Sequence, residues 1–139
     1  MRLYLDTNVL AWFIIGSDEL TPVVFNELVD YSNVLLTSSV CIQEFIHLLQ
    51  RNRWNKRKRG RIRAEDVVRR VKEAGITIVS VDERHLQAYS ELPIIGEHTD
   101  PNDRLIIAQA IVDKATLVSS DLSFFDYEEH GLMHLHNER

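Results

Sequence analysis

Short apolar runs in this chain alternate with longer stretches in which apolar residues recur every three or four positions, so strands and helices are expected to alternate. Residues 3–5 read as a short buried strand, and residues 8–15 as a helix that follows at once. Thr21 and Pro22 supply an N-cap and a first-turn proline for a helix over 23–31. Residues 34–37 form a second strand. Ser38 and Ser39 can cap the next helix, where Val40, Phe45, Leu48 and Leu49 recur at near-helical spacing as far as Arg51. A charged helix over 63–74 places Val67, Val68 and Val71 on one side and ends at Gly75. A third strand spans 76–81, Asp82 caps a helix over 83–92, and Pro93, Gly96 and Pro101 mark an irregular connection. An apolar helix over 103–112, a fourth strand over 116–119 and a further short strand around 133–135 complete the pattern. Parallel strands need crossover connections, and helices lie between these strands. The fold expected is α/β, a three-layer sandwich with a central parallel sheet of four to five strands flanked by helices.

Length and composition narrow this further. A chain of 139 residues has the size of one domain, expected over 1–139, and can bury roughly two-thirds of its unfolded surface. Hydrophobic residues at 45% and charged residues at 27% exclude a disordered chain. The longest apolar stretches, such as residues 9–15, fall far short of the roughly 20 residues that span a bilayer, and no signal-peptide pattern opens the chain. The location expected is cytoplasmic, without a membrane partner. Cys41 has no second cysteine to pair with, and its apolar neighbours favour a buried, inert thiol.

Charge changes the picture. The net charge is −5, yet residues 51–63 hold eight of the sixteen basic residues and no acid. Such a run can meet a polyanion by displacing its counterions: Arg53 and Lys56 would face phosphates, and Trp54 would stack on an exposed base. A solvated loop or a contact for an acidic protein are the alternatives.

Four acids carry the chemistry. Asp6 closes the first strand, Asp121 follows the fourth, Glu44 lies among Cys41, Ile42, Phe45 and Ile46, and Asp103 opens an apolar helix. In parallel α/β sheets ligands bind beyond the carboxyl ends of the strands, where Asp6 and Asp121 stand. Gathered together, these acids would raise one another's pKa and persist ionised mainly around a cation. Oxygen-only ligands select Mg²⁺ or Mn²⁺ over zinc, and such a site points to phosphate chemistry. Each acid also has a local explanation. Asp6, Asp82 and Asp121 can cap helices, and Asp100-Pro101-Asn102-Asp103 is an ordinary helix beginning. Thr7 and Asn8 can orient Asp6 or simply start a helix. Arg104 can anchor phosphate or pair with an acid. His98 reads as a hydrogen-bonding loop residue, because no second histidine or cysteine stands at zinc-like spacing.

The segments Leu5-Asp6-Thr7-Asn8-Val9-Leu10, Glu44 in the third helix, His98-Thr99-Asp100-Pro101-Asn102-Asp103-Arg104-Leu105-Ile106-Ile107-Ala108-Gln109-Ala110, and Leu117-Val118-Ser119-Ser120-Asp121 together resemble PIN-domain ribonucleases, particularly VapC-type toxins of bacterial toxin–antitoxin pairs. The resemblance covers essentially the whole chain. It implies a PIN-like fold and a Mg²⁺- or Mn²⁺-dependent endoribonuclease that leaves 5′-phosphate and 3′-hydroxyl ends. Asp6, Glu44, Asp103 and Asp121 would be the acidic set, with Asp100 as an alternative third acid and Thr7, Asn8 and Ser119 in support. It also implies a homodimer inhibited by a cognate antitoxin protein. The basic insert after the third helix is longer than in compact members of that group. Two other classes stand beside this one: a non-catalytic module binding nucleic acid or protein, and a phosphatase or phosphotransfer domain, since an Asp at the end of a first strand, here Asp6, can also be phosphorylated.

Overall fold

A computed structural model describes residues 1–51 and 62–139. Among these residues five strands form one sheet: β1 (Arg2–Leu5), β2 (Val34–Ser38), β3 (Ile76–Val79), β4 (Thr116–Ser119) and β5 (Met133–His136). The spatial order is β3-β2-β1-β4-β5 and every pairing is parallel. The connecting helices are α1 (Thr7–Ile15), α2 (Pro22–Val29), α3 (Ser39–Gln50), α4 (Val67–Glu73), α5 (Glu83–Glu91) and α6 (Pro101–Val112). No helix among the described residues is long and apolar enough to cross a membrane.

The strand order fixes the layers. From β1 the chain steps to β2 and β3 in one direction, then returns across the sheet to β4 and β5 on the other side of β1. Right-handed crossovers put helices on one face for one direction and on the opposite face for the other. Accordingly α1 packs on α3 and α3 on α4, while α5 packs on α6. The direction reverses between β1 and β4, so their carboxyl ends form the crevice where such sheets bind ligands. With both faces covered, Leu3, Tyr4, Leu5, Leu117 and Val118 are all fully buried, which is why these strands show no alternation in the sequence.

A buried polar network ties the sheet to the α5/α6 layer. The Tyr4 hydroxyl donates to Asp113 at 2.9 Å, His85 Nε2 lies 3.1 Å from the same carboxylate, and Gln109 donates to the Tyr4 hydroxyl at 3.3 Å. Ser38 in turn donates to Gln109. Each of these groups would be costly to bury alone.

Several boundaries differ from the sequence reading. Helix α2 ends at Val29, β3 at Val79 and α5 at Glu91, while α1 begins at Thr7. The helix expected from residue 63 begins as a 3₁₀ turn, Ala64–Asp66, before α4. Val67 and Val71 are buried, but Val68 is exposed, because i and i+4 share a helix face whereas i+1 lies about 100° away. Gly75 has φ 80°, the left-handed conformation that a glycine after a helix accommodates without steric cost. Helix α6 starts at Pro101 with Asp100 as its N-cap, so Asp103 stands third in the first turn rather than as the first helical residue. The nine-residue 3₁₀ segment Leu122–His130 was not expected.

Candidate active site

Asp6 stands at the junction where β1 becomes α1. Its N–H donates to the Val118 carbonyl at 3.0 Å, continuing the β1–β4 ladder, and its own carbonyl accepts from Leu10 N–H at 2.8 Å, opening the helix. Its side chain caps that helix by accepting from Thr7 N–H at 2.8 Å. Capping and facing the crevice are therefore one geometry: a strand ending in a helix N-cap sends the capping carboxylate to the carboxyl edge of the sheet.

Glu44 leaves the solvent-facing stripe of α3. Gln43 and His47 are exposed, whereas Glu44 is half-buried. Thr7 accounts for this: its hydroxyl donates to Glu44 Oε1 at 2.8 Å, so a single residue contacts both Asp6 and Glu44. From the opposite layer α6 contributes Asp103, whose N–H is capped by Asp100 at 3.1 Å. Asp121 follows β4 and accepts from Ser123 N–H and hydroxyl at 2.9 and 2.7 Å. Asp6, Glu44, Asp103 and Asp121 all line one open cleft of about 970 Å³, together with Thr7 and Asn8.

Proximity shows in the electrostatics. Burial, then the charges of Asp103, Glu44 and Asp121, push the Asp6 carboxyl up to about 7, against the bond from Thr7. Burial and Asp100 push Asp103 up to about 6, with Asp121 adding to the effect and His98 opposing it. Glu44 is also raised, chiefly by burial, against the bond from Thr7. A set of oxygen donors that resists ionising together fits a divalent cation, which would relieve both burial and repulsion. His98, Asp103 and Asp121 each present a donor atom, and the three lie within 4.8 Å of one another.

The profile of the PIN domain family matches residues 3–129. The chain belongs to the PIN-domain family. No curated protein matches it significantly, but solved structures do. A chain of the VapBC2 complex from Rickettsia felis, bound to a DNA fragment from its promoter, is 23% identical with 98% of each chain covered and a TM-score of 0.67. DNA-bound VapBC from Salmonella typhimurium gives 17% identity, the same coverage and a TM-score of 0.67. A toxin–antitoxin complex from Klebsiella pneumoniae gives 16% identity, 88% and 89% coverage and a TM-score of 0.59. At these identities the likeness is one of fold.

Within this PIN domain the other expected residues separate. Asn8 reaches the cleft. Asp100 is the exposed N-cap of α6 and acts on Glu44 and Asp103 through its charge. Ser119 is buried beneath the site, where its hydroxyl accepts from Asp121 N–H at 3.2 Å and lies 3.0 Å from His134 Nε2. Burial holds that histidine down to about 4, so it is neutral at ordinary pH. Arg104 does not enter the cleft. Its buried guanidinium donates to the Leu92 carbonyl at 2.7 Å and lies 4.7 Å from the Tyr89 ring, binding α6 to the end of α5. Asp82 caps α5 and pairs with Arg84 at 3.0 Å. Arg53, Trp54 and Lys56 lie outside the described residues. At the end of the basic run, Arg63 pairs with Asp66 and Glu65 at 3.3 and 3.5 Å. Cys41 is fully buried, and burial raises its thiol.

Asn102 and Arg139 are among the cleft residues that sequence reasoning missed. Asn102 lines the cleft and hydrogen-bonds Glu44; its place between Pro101 and Asp103 reads only as the first turn of a helix. Arg139 also lines the cleft, paired with Glu19 at 2.7 Å and stacked 4.8 Å from the Trp12 ring. No local pattern in the sequence marks it.

Proposed function

We propose that this PIN domain, acting as one unit over residues 1–139, is a metal-dependent endoribonuclease and the toxin of a VapC-type toxin–antitoxin pair. The observation that carries this reading is the meeting of Asp6, Glu44, Asp103 and Asp121, from both helical layers, in one cleft at the β1/β4 switch point. PIN-domain membership and the fold shared with VapBC complexes support it. The complexes of similar fold pair toxin with antitoxin, so the partners proposed are RNA as substrate, a cognate antitoxin and a second copy of the chain, in the cytoplasm.

The residues proposed to hold Mg²⁺ or Mn²⁺ are Asp6, Glu44, Asp103 and Asp121. When bound, the cation would lower the pKa of a water and offset charge on the scissile phosphate. Thr7 fixes Asp6 and Glu44 relative to one another, and Ser119 fixes the Asp121 backbone. Charge repulsion from the four carboxylates would keep phosphate out of the metal-free cleft, so cation and RNA binding are coupled.

Purified protein incubated with RNA and Mn²⁺ or Mg²⁺ tests the reading. Cleavage that requires the metal, leaves 5′-phosphate ends and falls to background in Asp6→Asn is expected. Binding of RNA with no cleavage by wild type under any metal would instead assign a binding module, and unchanged cleavage by Asp6→Asn would reject the site.

A further inference from the structure

Five residues before Asp103, a tight turn brings a histidine back to the site. His98 N–H donates to the Ile95 carbonyl at 3.1 Å, and Gly96 inside this turn has φ 59°, a conformation other residues adopt at a cost. The imidazole then spans two elements. Its Nε2 lies 3.3 Å from Asp103 Oδ2, and its Nδ1 lies 3.1 Å from the hydroxyl of Tyr127. Tyr127 is fully buried in the 3₁₀ segment that follows Asp121, and both it and Phe124 meet the imidazole edge-on, at 5.6 and 5.8 Å between ring centroids. Aromatic walls fix the plane of the ring, and the two hydrogen bonds fix its rotation.

A Tyr127 hydroxyl that donates to Nδ1 leaves the ring proton on Nε2, facing the carboxylate. One oxygen of Asp103 is then engaged and the other is left free for the cleft. We propose that His98, locked by Tyr127, is a positioning residue that orients Asp103 as a metal ligand. This rests on the metal-centre reading above and adds to it an arm that couples α6 to the segment after β4. Groups that orient ligating carboxylates through a hydrogen bond commonly account for about 10- to 100-fold in metal affinity. His98 is close enough to Asp103 and Asp121 to compete for the role of ligand itself, and the experiment separates the two roles.

The experiment measures Mn²⁺ binding to the metal-free full chain by electron paramagnetic resonance, for wild type, His98→Ala, His98→Gln and Tyr127→Phe, with circular dichroism as a check on folding. Expected are a dissociation constant about 10- to 100-fold weaker in His98→Ala, recovery of most of that loss in His98→Gln, whose amide can donate from the Nε2 position, and a smaller loss in Tyr127→Phe. In RNA cleavage the Mn²⁺ concentration for half activation should rise in His98→Ala, while KM for RNA measured at saturating Mn²⁺ is unchanged. Mn²⁺ affinity in a folded His98→Ala within twofold of wild type overturns the inference. A spin-echo signal from directly coordinated nitrogen, lost in His98→Ala, also overturns it by making His98 a ligand. Wild type that takes up no Mn²⁺ overturns the metal centre and this inference together, whereas Mn²⁺ uptake without RNA cleavage overturns only the nuclease reading.

Discussion

Removing the charge of Asp6 should stabilise the metal-free protein while abolishing its response to metal. Burial and three neighbouring acids raise the Asp6 carboxyl from 3.8 to about 7. A difference of about three pH units corresponds to about 4 kcal/mol at 1.36 kcal/mol per unit. Part of the side chain still meets solvent, which reduces the expected effect to about 2–3 kcal/mol. The sign follows from linkage. A folded pKa above the unfolded one means that the native state holds the extra proton, so the stability contributed by Asp6 is fully present below about pH 4 and is lost as the pH rises through about 7. At about pH 8 the wild-type Asp6 carboxylate therefore carries the full penalty. An amide in its place carries none, while its oxygen can still accept from Thr7 N–H as the carboxylate does. In EDTA at that pH, Asp6→Asn should melt higher by roughly 6–12 °C, taking about 3–4 °C per kcal/mol for a chain of this size. With Mn²⁺ at about a hundred times its dissociation constant, wild type gains about 2.7 kcal/mol and Asp6→Asn gains little, so the gap closes or inverts. The assay is a thermal melt of both proteins with EDTA and with Mn²⁺, from about pH 5 to 8. An Asp6→Asn protein that melts below wild type in EDTA at about pH 8, or that responds equally to Mn²⁺, contradicts this electrostatic picture.

Other outcomes follow from neighbouring groups. Apparent Mn²⁺ affinity should weaken as the pH falls from about 7 through 6, because protons on Asp6 and Asp103 then compete with the cation; titration calorimetry across that range reads it. Arg104→Met should lower stability by about 1–3 kcal/mol in urea, through loss of the charged hydrogen bond to Leu92, while leaving KM for RNA unchanged, since the guanidinium faces away from the cleft. Asn137 is fully buried and holds Thr21 N–H, the Glu19 carbonyl and the Ser120 hydroxyl at 2.8, 3.0 and 2.9 Å. Asn137→Ala should cost about 2–4 kcal/mol in urea denaturation by leaving those groups unsatisfied.

The parts of this fold that were legible are those determined locally. Thr21-Pro22, Asp82 and Asp100-Pro101 announce helix starts because capping depends on residues within one turn, and all three cap as read. The three central strands showed as apolar runs because both sheet faces are covered. Features set by tertiary contact were not legible. Phe124 and Tyr127 are buried three residues apart on a 3₁₀ turn, a period too short to separate from chance in nine residues. Arg104 announced a charge but not its direction, since the Tyr89 ring and the Leu92 carbonyl that hold it come from another helix. Among the acids, Asp6 and Asp121 were marked by their strand ends, whereas nothing local to Glu44 places it against Thr7. His98 read as a loop residue because its partner Tyr127 stands 29 positions away.

Metal-dependent chemistry in this cleft requires carboxylates from two helical layers to share one cation. Crystals of the protein grown with Mn²⁺ and measured for anomalous scattering test this most directly. Expected is a peak in the cleft within about 2.5 Å of oxygens from Asp6 and Asp103, lost in crystals of Asp6→Asn. A cleft with no peak at saturating Mn²⁺, or a peak held by other residues, contradicts it.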